Sequence, residues 1–325
     1  RLDASQDPEE RRGLLRRLAK LREEQEEDYK AALEVTGKLL AEDLTDESTW
    51  AELERLARVA NAEARLAEIY AAELEKLGSD EPSTAKLALR VGELFEAEKN
   101  DERALVFYRR AYAFSPEESP QAFAAIDRIL VRGGRHADRV ALYRDSLDFK
   151  SAPEDRLATM HTIAGLEETE LKDDDAAIAT YRGALDVDES DARTLDALAR
   201  LFTRRERWQD LADLLRKRAE QSALGEDEAR YRFELGKLLE GRIADVPGAI
   251  DEYQRVVELD PGGATQRAGI SALERLLGVE EHRARIVDIL RPIYEGADDW
   301  RKLIVVNEER LRIANDVGER VQILR

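Results

Sequence analysis

The stretch Arg230–Pro261, RYRFELGKLLEGRIADVPGAIDEYQRVVELDP, decides the fold. Leu235, Gly236, Leu238 and Leu239 share one face of a first helix, and Ile250, Tyr253, Val256 and Val257, at i, i+3, i+6 and i+7, form an apolar stripe on a second. Gly241 to Pro247 reads as the joint, where the flanking glycines suit a tight reversal. Pro261 stops the second helix just after Leu259 and Asp260. The two stripes can face each other only as a helical hairpin.

The hairpin recurs. Moving back 72 residues converts Ile250, Tyr253 and Asp260 into Ile178, Tyr181 and Asp188, and a further 73 reaches Leu105 and Tyr108. First helices repeat as well: Val91, Gly92 and Leu94 become Ile163, Ala164 and Leu166, then Leu235, Gly236 and Leu238. A second kind of hairpin lies between these copies, with Leu198, Leu201, Leu211, Leu214 and Leu215 mapping onto Leu273, Leu276, Ile286, Ile289 and Leu290 at an offset of 75. Ile126 and Ile129, then Leu53 and Leu56, extend that series backwards. The repeat is a four-helix unit built from two unlike hairpins. The units are expected at approximately 11–84, 85–156, 157–228 and 229–300, with a partial repeat to 325, in a single continuous stack.

Each hairpin resembles a tetratricopeptide repeat. That family places a Gly or Ala late in the first helix, an Ala and an aromatic four apart in the second, another small residue, and a closing Pro. Those positions read Gly92, Ala104, Tyr108, Ala111 and Pro116; then Ala164, Ala177, Tyr181 and Ala184 with Glu189 for the proline; then Gly236, Ala249, Tyr253, Val256 and Pro261. Ala88, Met160 and Arg232 stand where the family has a tryptophan, and Thr36 takes the tyrosine position of the N-terminal hairpin. The resemblance is to a bacterial-type member with alternating degenerate repeats. It implies an all-α, right-handed α-solenoid of about nine antiparallel hairpins, whose first helices line a concave groove for a peptide or partner helix.

Composition suits such a stack. Of 325 residues, 38% are charged and 6% aromatic, as expected when every helix keeps a solvated face. A net charge of −19 argues against nucleic acid as the main ligand, since phosphate binding relies on clustered Lys and Arg. The chain has no cysteine, hence no disulfide or thiolate metal site, and no apolar run long enough for direct membrane insertion. It begins at Arg1 with its only methionine at Met160 and ends in VQILR like another helix opening, so it reads as an excerpt of a longer protein. A cytoplasmic location is the expectation.

No catalytic set emerges: carboxylate pairs are everywhere, and no nucleophile, base and orienting residue converge. His136, His161 and His282 lack metal-ligand spacing. No cofactor is expected. Asp173, Asp174 and Asp175 suit a helix N-terminus rather than a calcium loop. The acidic run Glu23 to Asp28 reads as a solvated turn. Trp208 and Trp300 lie 92 residues apart, so one additional helix is expected between them, with both rings packed at helix starts.

One pattern rises above this background. Arg55, Arg128, Arg200 and Arg275 recur at offsets of 73, 72 and 75, and Glu96, Glu168 and Glu240 recur at 72, all on first helices. Aligned to the repeat, both rows and His161 fall on the groove face. Two uses follow: a salt-bridge ladder between repeats, or an arginine row that grips carboxylates of a bound peptide. The asparagine of the family's chaperone-tail clamp is replaced by Glu93, Gly165 and Lys237, so that specificity is not expected. The sequence points to a non-catalytic protein-binding scaffold, the alternative being a substrate-recruiting or regulatory arm of a larger enzyme. Self-association through the repeat ends is a third use.

Overall fold

The computed structural model describes residues 8–76, 84–114, 119–223, 225–313 and 320. The expectations placed on Pro116 and the final VQILR lie outside these residues. Among the described residues there are only helices and the turns between them. The chain divides after Lys172 into two compact units.

The first unit holds α1 (Pro8–Glu24), α2 (Tyr29–Leu40), α3 (Glu47–Ala60), α4 (Glu63–Lys76), α5 (Ala85–Ala97), α6 (Asp101–Phe114), α7 (Pro120–Arg132), α8 (His136–Ser146) and α9 (Pro153–Thr169). The second holds α10 (Asp174–Val187), α11 (Ala192–Arg204), α12 (Trp208–Gln221), α13 (Gly225–Leu238), α14 (Val246–Leu259), α15 (Ala264–Leu276), α16 (Arg283–Gly296) and α17 (Trp300–Ile313). Within each unit a helix packs chiefly on those before and after it. Odd-numbered helices are the first, and even-numbered the second, of each pair in chain order.

Aspartates start several of these helices. Asp28, Asp46, Asp173 and Asp245 each sit at an N-cap, where the carboxylate accepts a backbone N–H at 2.9 to 3.0 Å. Asp174 and Asp175 then pair with Arg204 and Arg205, so the aspartate triplet opens a helix and ties it to the next. Most reversals within pairs contain one residue in the left-handed region: Glu27, Asn61, Lys99, Gly134, Glu206 and Ala244. The joint of the deciding stretch therefore differs from expectation. Gly241 lies in a π-turn over Leu239–Ile243, Ala244 takes the left-handed conformation, and Pro247 is already in the first turn of α14. Gly225 to Glu228 forms the first turn of α13.

Small residues set how closely helices approach. A Cβ on Gly236 would fall 2.5 Å from Cε1 of Tyr253, so the ring of α14 lies directly on the α13 backbone. Ile250, Tyr253 and Val256 are fully buried, as their spacing requires. In the first unit, Leu53, Val91, Phe95, Phe107, Tyr108 and Ile126 belong to one continuous core, with Phe95 and Phe107 stacked at 5.7 Å. Leu15, Val35 and Leu39 form a separate small cluster that fastens α1 to α2.

Four helices, α13 to α16, lie between Trp208 and Trp300, one more than separates equivalent positions of a four-helix unit, as expected. Trp208 opens an even helix and Trp300 an odd one, so the surplus of residues is the ordinary next helix, and the two tryptophans are not equivalent. Trp208 is half-buried under the Arg242 guanidinium at 5.1 Å, but Trp300 is 61% exposed and does not pack as expected.

Candidate functional site

The odd helices carry the residues singled out by the repeat. In the first unit, Arg128 on α7 reaches back to Glu96 on α5, donating to both carboxylate oxygens at 3.1 and 2.7 Å. Glu96 also accepts the Tyr108 hydroxyl at 2.9 Å. The second unit repeats the arrangement: Arg275 on α15 donates to both oxygens of Glu240, beside the end of α13, and Glu240 accepts the Tyr253 hydroxyl at 2.8 Å. Each tyrosine that fills the space over a glycine thus ends on a carboxylate held by the next odd helix. Arg128 lowers the pKa of Glu96, and burial raises those of Tyr108 and Tyr253.

Arg55 behaves the same way with partners the repeat did not disclose. Its Nη2 donates to both oxygens of Glu23 on α1 at 2.7 Å, and Glu52 on its own helix accepts from it at 2.7 and 2.9 Å. Glu23, placed by the sequence in a solvated turn, ends α1 and ties it to α3. Arg90 on α5 grips Glu54 on α3 at 2.6 Å through two parallel bonds. No sequence signal marks it, since the residue 72 positions on is Thr162. Arg200 is exposed on α11 and Glu168 half-buried on α9. His161, expected on the open face, is 7% exposed and belongs to the interior of α9.

A groove lies between α1 and α3, with a volume of about 640 Å³. Ala19, Thr36 and Leu39 form its deeper wall, and Arg16, Lys20, Glu23 and Arg55 its rim. Arg55 is committed to Glu23 and Glu52, and Lys20 approaches Glu24 at 3.5 Å. Arg16 is exposed and makes no ion pair among the described contacts. Sequence reasoning missed Arg16 because it belongs to no repeating row.

Among the described residues, no cluster of three or more histidines, aspartates or glutamates is arranged to hold a metal ion. No described helix is long and apolar enough to cross a membrane.

No family model matches the chain, and no curated protein matches it. Among solved structures it is similar to human IFIT1 in its dimer with m7Gppp-AAAA, at 15% identity and a TM-score of 0.36, covering 89% of this chain and 69% of that one. It is similar to YrrB, a TPR protein with an unusual peptide-binding site, at 14% identity and a TM-score of 0.30, covering 62% and 97%. A further likeness is to MamA from Desulfovibrio magneticus RS-1, at 16% identity and a TM-score of 0.28, covering 54% and 94%. The tetratricopeptide-like character of the hairpins rests on their own packing, with Gly92 and Gly236 beneath the rings of Tyr108 and Tyr253.

Proposed function

We propose that the chain is a non-catalytic protein-binding scaffold that receives an acidic peptide segment in the groove between α1 and α3. One observation carries this reading: Arg16 faces a groove of ligand size without a carboxylate of its own, whereas Arg55, Arg128 and Arg275 are already engaged by Glu23, Glu96 and Glu240. The arginine row then serves as a ladder between successive odd helices and holds the groove in shape. A partner carboxylate on Arg16 would gain a charge-assisted contact with no internal pair to break.

Fluorescence polarisation with a panel of labelled acidic dodecapeptides tests it. Arg16→Glu is expected to weaken the tightest binder by more than about tenfold, the equivalent of roughly 1.4 kcal/mol. Arg275→Glu, in the other unit, should leave binding unchanged. No binder in the panel, or equal binding by the Arg16→Glu chain, overturns the assignment.

A further inference from the structure

Four residues define how a tyrosine is seated in the third and seventh pairs: a small residue on the odd helix, the tyrosine on the even helix, a glutamate four residues after the small one, and an arginine on the next odd helix. They are Gly92, Tyr108, Glu96 and Arg128, and again Gly236, Tyr253, Glu240 and Arg275. The first pair has Ala19, Thr36, Glu23 and Arg55 at these positions. All four line the groove between α1 and α3. Tyrosine alone is missing from the set.

We propose that this groove seats a tyrosine side chain supplied in trans by the bound segment, its hydroxyl donating to Glu23 as Tyr108 and Tyr253 donate to Glu96 and Glu240. The inference rests on the scaffold reading and names the anchor residue of its partner. Glu23 is already oriented for this, since Arg55 holds both of its oxygens at 2.7 Å. Each carboxylate oxygen accepts more than one hydrogen bond, so capacity for a phenol remains.

Thr36 does not use its hydroxyl toward the groove, because it donates to the Ala32 carbonyl at 2.9 Å within α2. Thr36 is 2% exposed, so the ring enters along the mouth beside Ala19 rather than down to the threonine. Ala19 carries the methyl that Gly92 and Gly236 lack, so the incoming ring rests outside that methyl rather than on the helix backbone as Tyr108 and Tyr253 do, and Leu39 supplies an apolar wall for the ring face. The apolar groups below also belong to a cluster separate from the main core, so α1 can adjust without disturbing α3 to α7. Aromatic rings with one polar end gain from such a site, where the ring is covered and the hydroxyl is paired. Arg16 and Lys20 on the rim suit acidic residues flanking that tyrosine.

The test is a titration of the whole chain with p-cresol, the tyrosine side-chain analogue, followed by amide chemical shifts of Ala19, Glu23 and Thr36. Saturable shifts are expected for the wild type, with toluene, which lacks the hydroxyl, binding about tenfold more weakly. Thr36→Tyr supplies the ring in cis and should abolish the shifts. Ala19→Leu closes the same mouth from α1 and keeps the comparison decisive if Thr36→Tyr does not fold. Absent shifts, equal affinity for toluene, or undiminished p-cresol binding by a folded closing variant would each overturn the proposal. Failure here with Arg16-dependent capture of acidic peptides intact removes the tyrosine anchor and leaves the scaffold reading standing.

Discussion

A Cβ added to Gly92 would lie 2.5 Å from Cδ1 of Tyr108, closer than two carbon atoms tolerate. The tyrosine cannot yield, because its ring is buried and its hydroxyl is fixed on Glu96. Replacing a helical glycine by alanine normally favours the helix by about 1 kcal/mol. At Gly92 and Gly236 overpacking wins instead, and Gly92→Ala or Gly236→Ala is expected to destabilise by about 2 kcal/mol. Gly13, with open space around it, is the control and should gain stability. Urea unfolding of the three variants would show opposite signs.

Truncating the ring tests the other side of the same contact. Tyr108→Ala or Tyr253→Ala should cost about 3 to 5 kcal/mol, through the cavity and the lost area together. Tyr108→Phe should cost only about 1 kcal/mol, since Glu96 keeps Arg128 as partner. A small loss for both Tyr108→Ala and Tyr253→Ala in thermal melting would contradict their core position.

The same groups set the pH dependence. Arg128 lowers the folded-state pKa of Glu96, so its contribution is present above the unfolded carboxylate range near pH 4 and is lost as pH falls through the folded value. Burial raises the pKa of Tyr108 and Tyr253. Their contribution is complete below about pH 10, declines above it, and is gone once pH passes the folded values. Asp46, held down to about 2 first by the Ser48 hydroxyl and then by Thr49, adds to the acid side between about pH 4 and 2. Urea midpoints across pH should show a plateau between these limbs. The Tyr108→Phe, Tyr253→Phe double variant should have a flatter alkaline limb.

Breaking the ladder should matter little for folding. Arg128 and Arg275 are 56% and 61% exposed at their side chains, and exposed pairs contribute about 0 to 1 kcal/mol each. Arg128→Ala and Arg275→Ala are expected to shift the melting temperature by no more than a few degrees. A loss above about 2 kcal/mol for either in urea unfolding would show that the pairs are part of the cooperative core.

Ala244 offers a gain. It holds φ 62° at the reversal into α14, a conformation that costs a non-glycine residue about 1 kcal/mol or more. Ala244→Gly should raise stability by several tenths of a kcal/mol, after allowance for the entropy of the unfolded glycine. Calorimetry against Gly241→Ala, a site with open space for a Cβ, separates the effect of φ from that of helix propensity.

The hairpins were legible because a buried stripe must recur every three or four residues and a ring must meet a small residue. Both constraints are local and repeat with the pair, as at Gly92 and Tyr108 or Gly236 and Tyr253. The arginine and glutamate rows were legible for the same reason. Arg90 and Glu54 were not, since their contact does not recur, and neither was the part played by Glu23, which sits in an acidic run that looks like solvated turn. Trp300 misled because a large ring suggests burial, whereas here it lies on an exposed part of α17. The groove could be read only as an exception to the repeat: Thr36 was visible, but that Ala19, Glu23 and Arg55 surround one space needed coordinates.

The bridges between neighbouring odd helices share an orientation. Glu23, Glu54 and Glu96 each lie one odd helix before Arg55, Arg90 and Arg128, and Glu240 and Glu274 precede Arg275 and Lys302. Even helices follow suit where Glu34 meets Arg65, Glu68 meets Arg103 and Asp251 meets Arg285, although Arg182 and Asp210 run the other way. Such a row has a sense, like the teeth of a ratchet. Each interior member of the series, such as α3 and α5, therefore takes a carboxylate from the odd helix before it and offers one to the odd helix after it.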